Sequence, residues 1–220
     1  MPMFKNWHGF FLYESMKSKA EEVVPEQNTG AHTNTESTAT FNTIEEAKTF
    51  FETVKRRLQQ VSDWHHLAGK GTAAFELTDA KGDAVNRAPQ KGDHLKIDIP
   101  GPGPRTGDGF DWVQVEAVEH TTEGDLECVL MQVRPATNPK NDRHDVAHFF
   151  SDEATSNFMV KREGATITAA VYGRNEKPNT GAEKAVDKAR NTAVATGAVS
   201  GFSKLQWKSL VNGFLKKEED

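Results

Sequence analysis

The sequence of 220 residues has a single cysteine and no long apolar run. Cys128 has no second thiol to pair with, and it lies mid-way in the strand-like run 126–131, so we interpret it as a buried thiol. No stretch approaches the roughly 18 to 20 apolar residues of a membrane span, and the N-terminus has no apolar run of signal-peptide length. These absences predict a cytoplasmic protein without integral membrane association.

A surplus of positive charge is also lacking. The chain has 27 Lys and Arg against 32 Asp and Glu, a net charge of −5. Such a chain has no protein-wide field to collect phosphate backbones, which predicts no nucleic-acid partner. Hydrophobic residues at 36% and charged residues at 27% are typical of a globular protein, and the length favours one domain.

The sequence also lacks a serine nucleophile motif and a phosphate-binding loop. No Gly-x-Ser-x-Gly elbow is present, so no serine nucleophile is indicated. The glycine-rich segment 100–109 has three prolines, which lack the N–H groups that cradle a phosphate. We interpret it as a rigid strand connection, with a stiff rim over a pocket as the alternative. No cofactor is predicted.

The N-terminal residues 1–24 are predicted to form an amphipathic segment. Phe4, Trp7, Phe10 and Phe11 are spaced as one apolar helix face, which must dock to leave water. Docking on the protein's own domain is expected, with exchange in a homodimer and a membrane surface as alternatives. The following residues 25–37 have too few apolar groups to offset their ordering entropy, and are interpreted as a polar linker.

The remainder alternates between helical and strand patterns. Thr43 and Glu46 form a capping box ahead of a helix that ends within 64–69, where Gly69 can serve as its C-terminal cap. Six runs with a period of two follow between 71 and 174, and their short turns predict an antiparallel meander. From about 181 the pattern is helical again, with Gly197 and Ser203 marking where one long helix could divide into two.

A strand at 38–41, a helix, six antiparallel strands and a long C-terminal helix resemble the START-like helix-grip superfamily, also called SRPBCC. The resemblance covers 38–217 as one domain and includes the helix-ending segment Asp63-Trp64-His65. It implies an α+β fold in which a curved antiparallel sheet of six to seven strands wraps around the C-terminal helix. It also implies a cavity between sheet and helix that holds a small apolar or amphipathic molecule.

Three functions remain open on this scaffold. The first is binding of such a molecule, since the small side chains of 189–203 leave room against a concave sheet, although they equally permit close packing. The second is an enzyme of the hydrolase, dehydratase or cyclase type, with His65, His66 or His148 as general base. The third is a protein-protein interaction or structural role.

The residues predicted to contact a ligand lie at the ends of strands and of the first helix. Trp64 offers an aromatic plane for stacking, or alternatively a hydrophobic plug at the helix end. Arg134, Tyr172, Arg174 and Glu176 end two strand runs, so their polar heads are predicted to meet at one mouth of the sheet. An ordinary Arg134–Glu176 ion pair is the alternative.

His144 and His148 have the i, i+4 spacing that zinc sites use on a helix. The segment follows turn-forming residues, and Asp145 is shorter than the usual glutamate base, so no metal site is predicted. We expect an exposed His144, and a His148 that packs partly into the core and donates one hydrogen bond.

Overall fold

The computed structural model describes residues 19–101, 103–181, 185–197 and 203–217. Seven strands form one antiparallel sheet in the order β1-β7-β6-β5-β4-β3-β2. The strands are β1 (Ala31–Thr40), β2 (Ala74–Thr78), β3 (His94–Asp98), β4 (Asp111–Glu123), β5 (Leu126–Pro135), β6 (Thr155–Glu163) and β7 (Thr166–Glu176). Each strand from β2 to β7 pairs with the next, which confirms the predicted meander and the α+β class.

The helices are α1 (Ile44–Gln59), α2 (Trp64–Ala68), α3 (Ala185–Gly197) and α4 (Ser203–Phe214), with 3-10 turns at Lys19–Val23 and Val61–Asp63. Thr43 caps α1 as predicted, because its Oγ1 accepts from the Glu46 N–H at 3.1 Å. The C-terminal region contains α3 and α4, but residues 198–202 between them lie outside the described residues, so the predicted division at Gly197 and Ser203 stays a prediction. None of the described helices is long and apolar enough to cross a membrane.

Helix α4 contacts both edges of the sheet. Lys208 Nζ donates to the Glu36 carbonyl of β1 at 2.8 Å, and Gln206 Oε1 accepts from the Ala73 N–H, beside β2, at 3.2 Å. One helix can reach both edge strands only if the sheet curls around it. The predicted wrapping of the sheet around the C-terminal helix is therefore confirmed, and the main core lies on the concave face.

The prediction of a polar linker over 25–37 is wrong from Ala31 onward, because β1 begins there and pairs with β7 along its length. The strand predicted at 38–41 is thus considerably longer. An edge strand is held by its backbone ladder, which needs no apolar side chains, and β-branched threonines suit it. Thr33 and Thr35 are buried on the concave face.

The segment before β1 lies on the convex face of the sheet. Glu21 pairs with Lys161 at 3.0 Å, and the Val23 carbonyl accepts from Gln132 Nε2 at 2.7 Å. Val23 and Val24 pack against a convex cluster made of Leu126, Cys128, Leu130, Met159 and Ala170. Cys128 is buried, as predicted. Residues 1–18, which hold the predicted aromatic face, lie outside the described residues, so its docking stays a prediction.

Candidate functional site

A cavity of about 60 Å³ lies between the concave face of the sheet and helices α3 and α4. Most of its lining is apolar: Ala73, Phe75, Leu95, Ile97, Ile99, Val113, Val133, Phe149, Phe150, Phe158, Val194 and Trp207. The alternation of β2 to β6 aims these strand residues inward, and the two helices supply Val194 and Trp207. The strand pattern thus produces an apolar enclosure.

The volume sets the size of molecule that the cavity admits. A single water requires roughly 10–15 Å³ by this kind of measure, so the cavity corresponds to about four to six waters. Drug-sized pockets are far larger, at about 300–1,000 Å³. A ligand for the described cavity is therefore compact, with a body about the size of one aromatic ring.

Four polar side chains also line the cavity: His148, Ser156, Glu176 and Gln206. No Lys or Arg occurs among the lining residues of the described chain. Ser156 pairs with Gly173 across β6 and β7, so it lies beside the backbone over which the Glu176 carboxyl folds. The polar groups therefore include one carboxyl and no basic side chain other than an imidazole.

Glu176 reaches the cavity because β7 is irregular at its end. Strict alternation would place Glu176 on the convex face with Arg174, but Asn175 has a left-handed φ of 57°. The absence of a side chain at Gly173 leaves room for the carboxyl, since a Cβ there would lie 2.0 Å from Glu176 Oε1 and would displace it. Thr33 Oγ1 then donates to Glu176 Oε2 at 2.9 Å.

Burial controls the ionisation of Glu176, a residue that is only 6% exposed. Desolvation raises its pKa above the usual 4.5, and the opposing effects of the Thr33 hydrogen bond and the Arg174 charge are smaller. Its Oε1 accepts no hydrogen bond from any residue of the described chain. The carboxyl therefore has a free oxygen in surroundings that disfavour an isolated negative charge.

His148 contributes a neutral ring to the cavity wall. Its Nδ1 accepts from the Phe150 N–H at 2.9 Å, and its ring stacks on Phe149 with centroids 4.2 Å apart. Desolvation lowers its pKa from 6.5 to about 4, so the imidazole is uncharged at neutral pH. With Nδ1 occupied as an acceptor, Nε2 carries the proton. His148 thus accepts a backbone hydrogen bond rather than donating one, which corrects our expectation, and a base role for it stays a prediction.

Helix α3 is attached to the sheet end by buried charges. Arg190 forms a two-pronged ion pair with Asp111 at the start of β4. The Asp187 carboxylate accepts from the N–H groups of Arg105 and Thr106, both at 3.1 Å. The segment 100–109 therefore contacts α3 through Arg105 and Thr106. These contacts and the ion pair hold α3 in place, with Val194 over the cavity. Pro102 lies outside the described residues.

The predicted gathering of four polar side chains at one mouth is wrong for three of them. Tyr172 and Arg174 lie on the convex face, where the Tyr172 hydroxyl donates to Glu36 at 2.6 Å and Arg174 donates to Asn34 at 2.7 Å. Arg134 pairs with Glu116 at 3.6 Å and not with Glu176. The alternation of β5 and β7 places these three away from the cavity, whereas the backbone irregularity at Asn175 redirects Glu176.

Trp64 is a core residue and does not line the cavity. It is 0% exposed, and its Nε1 donates to the carbonyls of Arg57 and Leu58. The alternative of a hydrophobic plug at the helix end therefore describes it. The rings of His65 and His66 on α2 are in contact, with centroids 3.7 Å apart and planes tilted by 43°, and neither lines the cavity.

His144 and His148 do not form a helical pair, because no helix covers this segment. His144 is exposed, as predicted, and borders a separate surface groove. In the part of the chain that the structure describes, no cluster of three metal-ligating side chains occurs.

Sequence reasoning missed Ser156 and Gln206. Ser156 has the same strand parity as Phe158, so the alternating pattern could have marked it as facing inward. Gln206 lies on α4, and its contact with the distant Ala73 carries no local signal in the sequence.

Comparison of the sequence with protein-family models and with curated proteins finds no match. Among solved structures, the chain is similar to a hypothetical protein of Helicobacter pylori, with 11% identity, TM-score 0.46, and coverage of 84% of this chain and 88% of that one. It is also similar to ginseng major latex-like protein 151 from Panax ginseng (11% identity, TM-score 0.33, coverage 81% and 99%). Truncated norcoclaurine synthase from Thalictrum flavum is a third (11% identity, TM-score 0.34, coverage 80% and 98%). The helix-grip architecture itself rests on the strand order and on α4 within the curled sheet.

Proposed function

We propose that this protein binds a small apolar molecule in the cavity between the sheet and helices α3 and α4. The observation that carries the proposal is an apolar cavity of about 60 Å³ whose wall includes buried polar groups. Protein interiors are normally packed to crystal-like density, with few voids. In addition, Glu176 Oε1 in this wall accepts no hydrogen bond from the described chain, and polar groups in protein interiors usually have partners. A void with both features is typical of a binding site.

The chemistry of the wall favours binding over catalysis. His148 presents a neutral N–H rather than a free lone pair, because Phe150 occupies Nδ1. His65 and His66 are elsewhere. A general base is thus less well supported than a hydrogen-bonding role at the edge of an apolar ligand.

Thermal unfolding of the full chain with toluene and other single-ring probes tests the proposal. A ligand at ten times its Kd stabilises the folded state by about 1.4 kcal/mol. For a chain of this size we expect the Tm to rise by about 3–6 °C. Val133→Phe fills the cavity and should abolish the rise, whereas Glu119→Phe, at an exposed position, should retain it. No rise with any probe, or an equal rise in Val133→Phe, would overturn the proposal.

A further inference from the structure

The charges of the cavity restrict its ligand further than its size does. Glu176 is the only carboxylate among the described lining residues, and its Oε1 has no hydrogen-bond donor from the described chain. The Thr33 hydroxyl satisfies only the other oxygen. The free oxygen of this carboxyl can accept a hydrogen bond, and a ligand in the cavity can supply the donor.

No cation of the cavity wall compensates this carboxyl. The lining of the described chain contains no Lys or Arg, and the buried His148 ring is neutral, with its Nδ1 accepting from the Phe150 N–H and its pKa lowered by desolvation. Arg174, two residues before Glu176, lies on the opposite face and donates to Asn34 and to the Thr33 carbonyl. A ligand carboxylate would supply no donor and would add negative charge to surroundings that disfavour it, whereas a ligand ammonium supplies both a donor and the opposite charge.

We infer that the ligand is a compact apolar amine, whose ammonium group lies beside Glu176 while its ring or alkyl body fills the apolar part of the cavity. This inference rests on the proposed function, since it names the class of molecule for the same cavity. Ser156, which pairs with Gly173 beneath the Glu176 carboxyl, is placed to accept a second hydrogen bond from the ammonium. Phe158, Val133 and Ile97 would contact the body.

Calorimetric titration of the full chain with four probes of similar body tests the inference: benzylamine, benzyl alcohol, toluene and benzoate. Charge-assisted hydrogen bonds exceed neutral ones, so we expect benzylamine to bind about tenfold more tightly than benzyl alcohol. Benzoate should be the weakest. Benzyl alcohol or benzoate binding as tightly as benzylamine would overturn the inference.

Glu176→Gln removes the charge while keeping an oxygen that can accept from Thr33. We expect this variant to lose the preference for benzylamine and to keep its affinity for toluene within about twofold. Glu116→Gln, which removes a carboxylate outside the cavity, should behave as the wild type. An amine preference that survives in Glu176→Gln would refute the role of this carboxyl.

The failures of the two proposals are distinguishable. If toluene raises the Tm but no amine preference appears, only the amine inference fails. If none of the four probes binds, the proposed binding function fails, and the amine inference fails with it.

Discussion

The two ends of the concave face are filled differently, although one sheet forms both. At the α1 end, Trp64 is fully buried against Phe75, Phe158 and Phe214, with ring centroids 4.6–5.8 Å apart. At the α3 end, Phe75 and Phe158 instead border a cavity. The same two phenylalanines thus divide a packed end from a hollow end.

The difference arises from the side chains that the helices bring. Helix α1 presents Phe51, Val54 and Leu58, which are almost completely buried. Helix α3 brings small and polar residues, and Val194 is the one member of its described part that lines the cavity. Large apolar side chains interdigitate to high density, whereas small ones leave space unless the backbones approach. The buried Arg190–Asp111 pair and the Asp187 contacts hold α3 where it is.

Among the substitutions considered, removal of the Trp64 side chain should reduce the free energy of unfolding most. We expect Trp64→Ala to lower the free energy of unfolding by about 3–5 kcal/mol, because it opens a cavity in the packed end and removes a buried hydrogen-bonded indole. Urea unfolding measures this change. A loss below about 1 kcal/mol would contradict the view that this end is densely packed.

At the hollow end, stability should depend on pH through His148. Its pKa is lowered in the folded state from 6.5 to about 4, so the unfolded chain binds more protons between these values. The free energy of unfolding should therefore fall as the pH decreases from 6.5 toward 4, by about 3 kcal/mol in total from this group.

Glu176, with a raised pKa, acts in the opposite direction, since its contribution is lost as the pH rises through its folded value. The His148 effect is isolated by comparing the wild type with His148→Gln, whose amide can still accept from the Phe150 N–H. Parallel pH profiles for the two proteins would contradict the assignment.

The smallest effect should come from one added methylene in β5. Val129 and Val133 lie on the same face of this strand, but only Val133 lines the cavity. Val129→Leu should destabilise by about 1–3 kcal/mol through overpacking. Val133→Leu should be neutral, or stabilising by up to about 0.8 kcal/mol, because its extra group enters empty space. Equal destabilisation in urea would show that both ends are packed alike.

Local sequence signals predicted most of the fold. The capping box at Thr43 and the six alternating runs correspond to elements of the structure. These features depend on neighbours within a few residues, so they can be read from the chain. Residues 31–37 of β1 were missed because their polar composition hides a backbone ladder supplied by β7.

The sequence by itself determined the α+β class, the strand period and the burial of Cys128, because each depends on apolar spacing along the chain. Only the tertiary structure decided which polar groups meet at the cavity. Glu176 was separated from Arg134, Tyr172 and Arg174 by one left-handed residue, Asn175, which reverses the face of the next side chain. Gln206 is distant in sequence from His148 and Ser156, and the curved sheet brings the three to one wall. The sheet face on which a side chain lies and the curvature of the sheet both depend on how the strands pair. No single residue type specifies either of them.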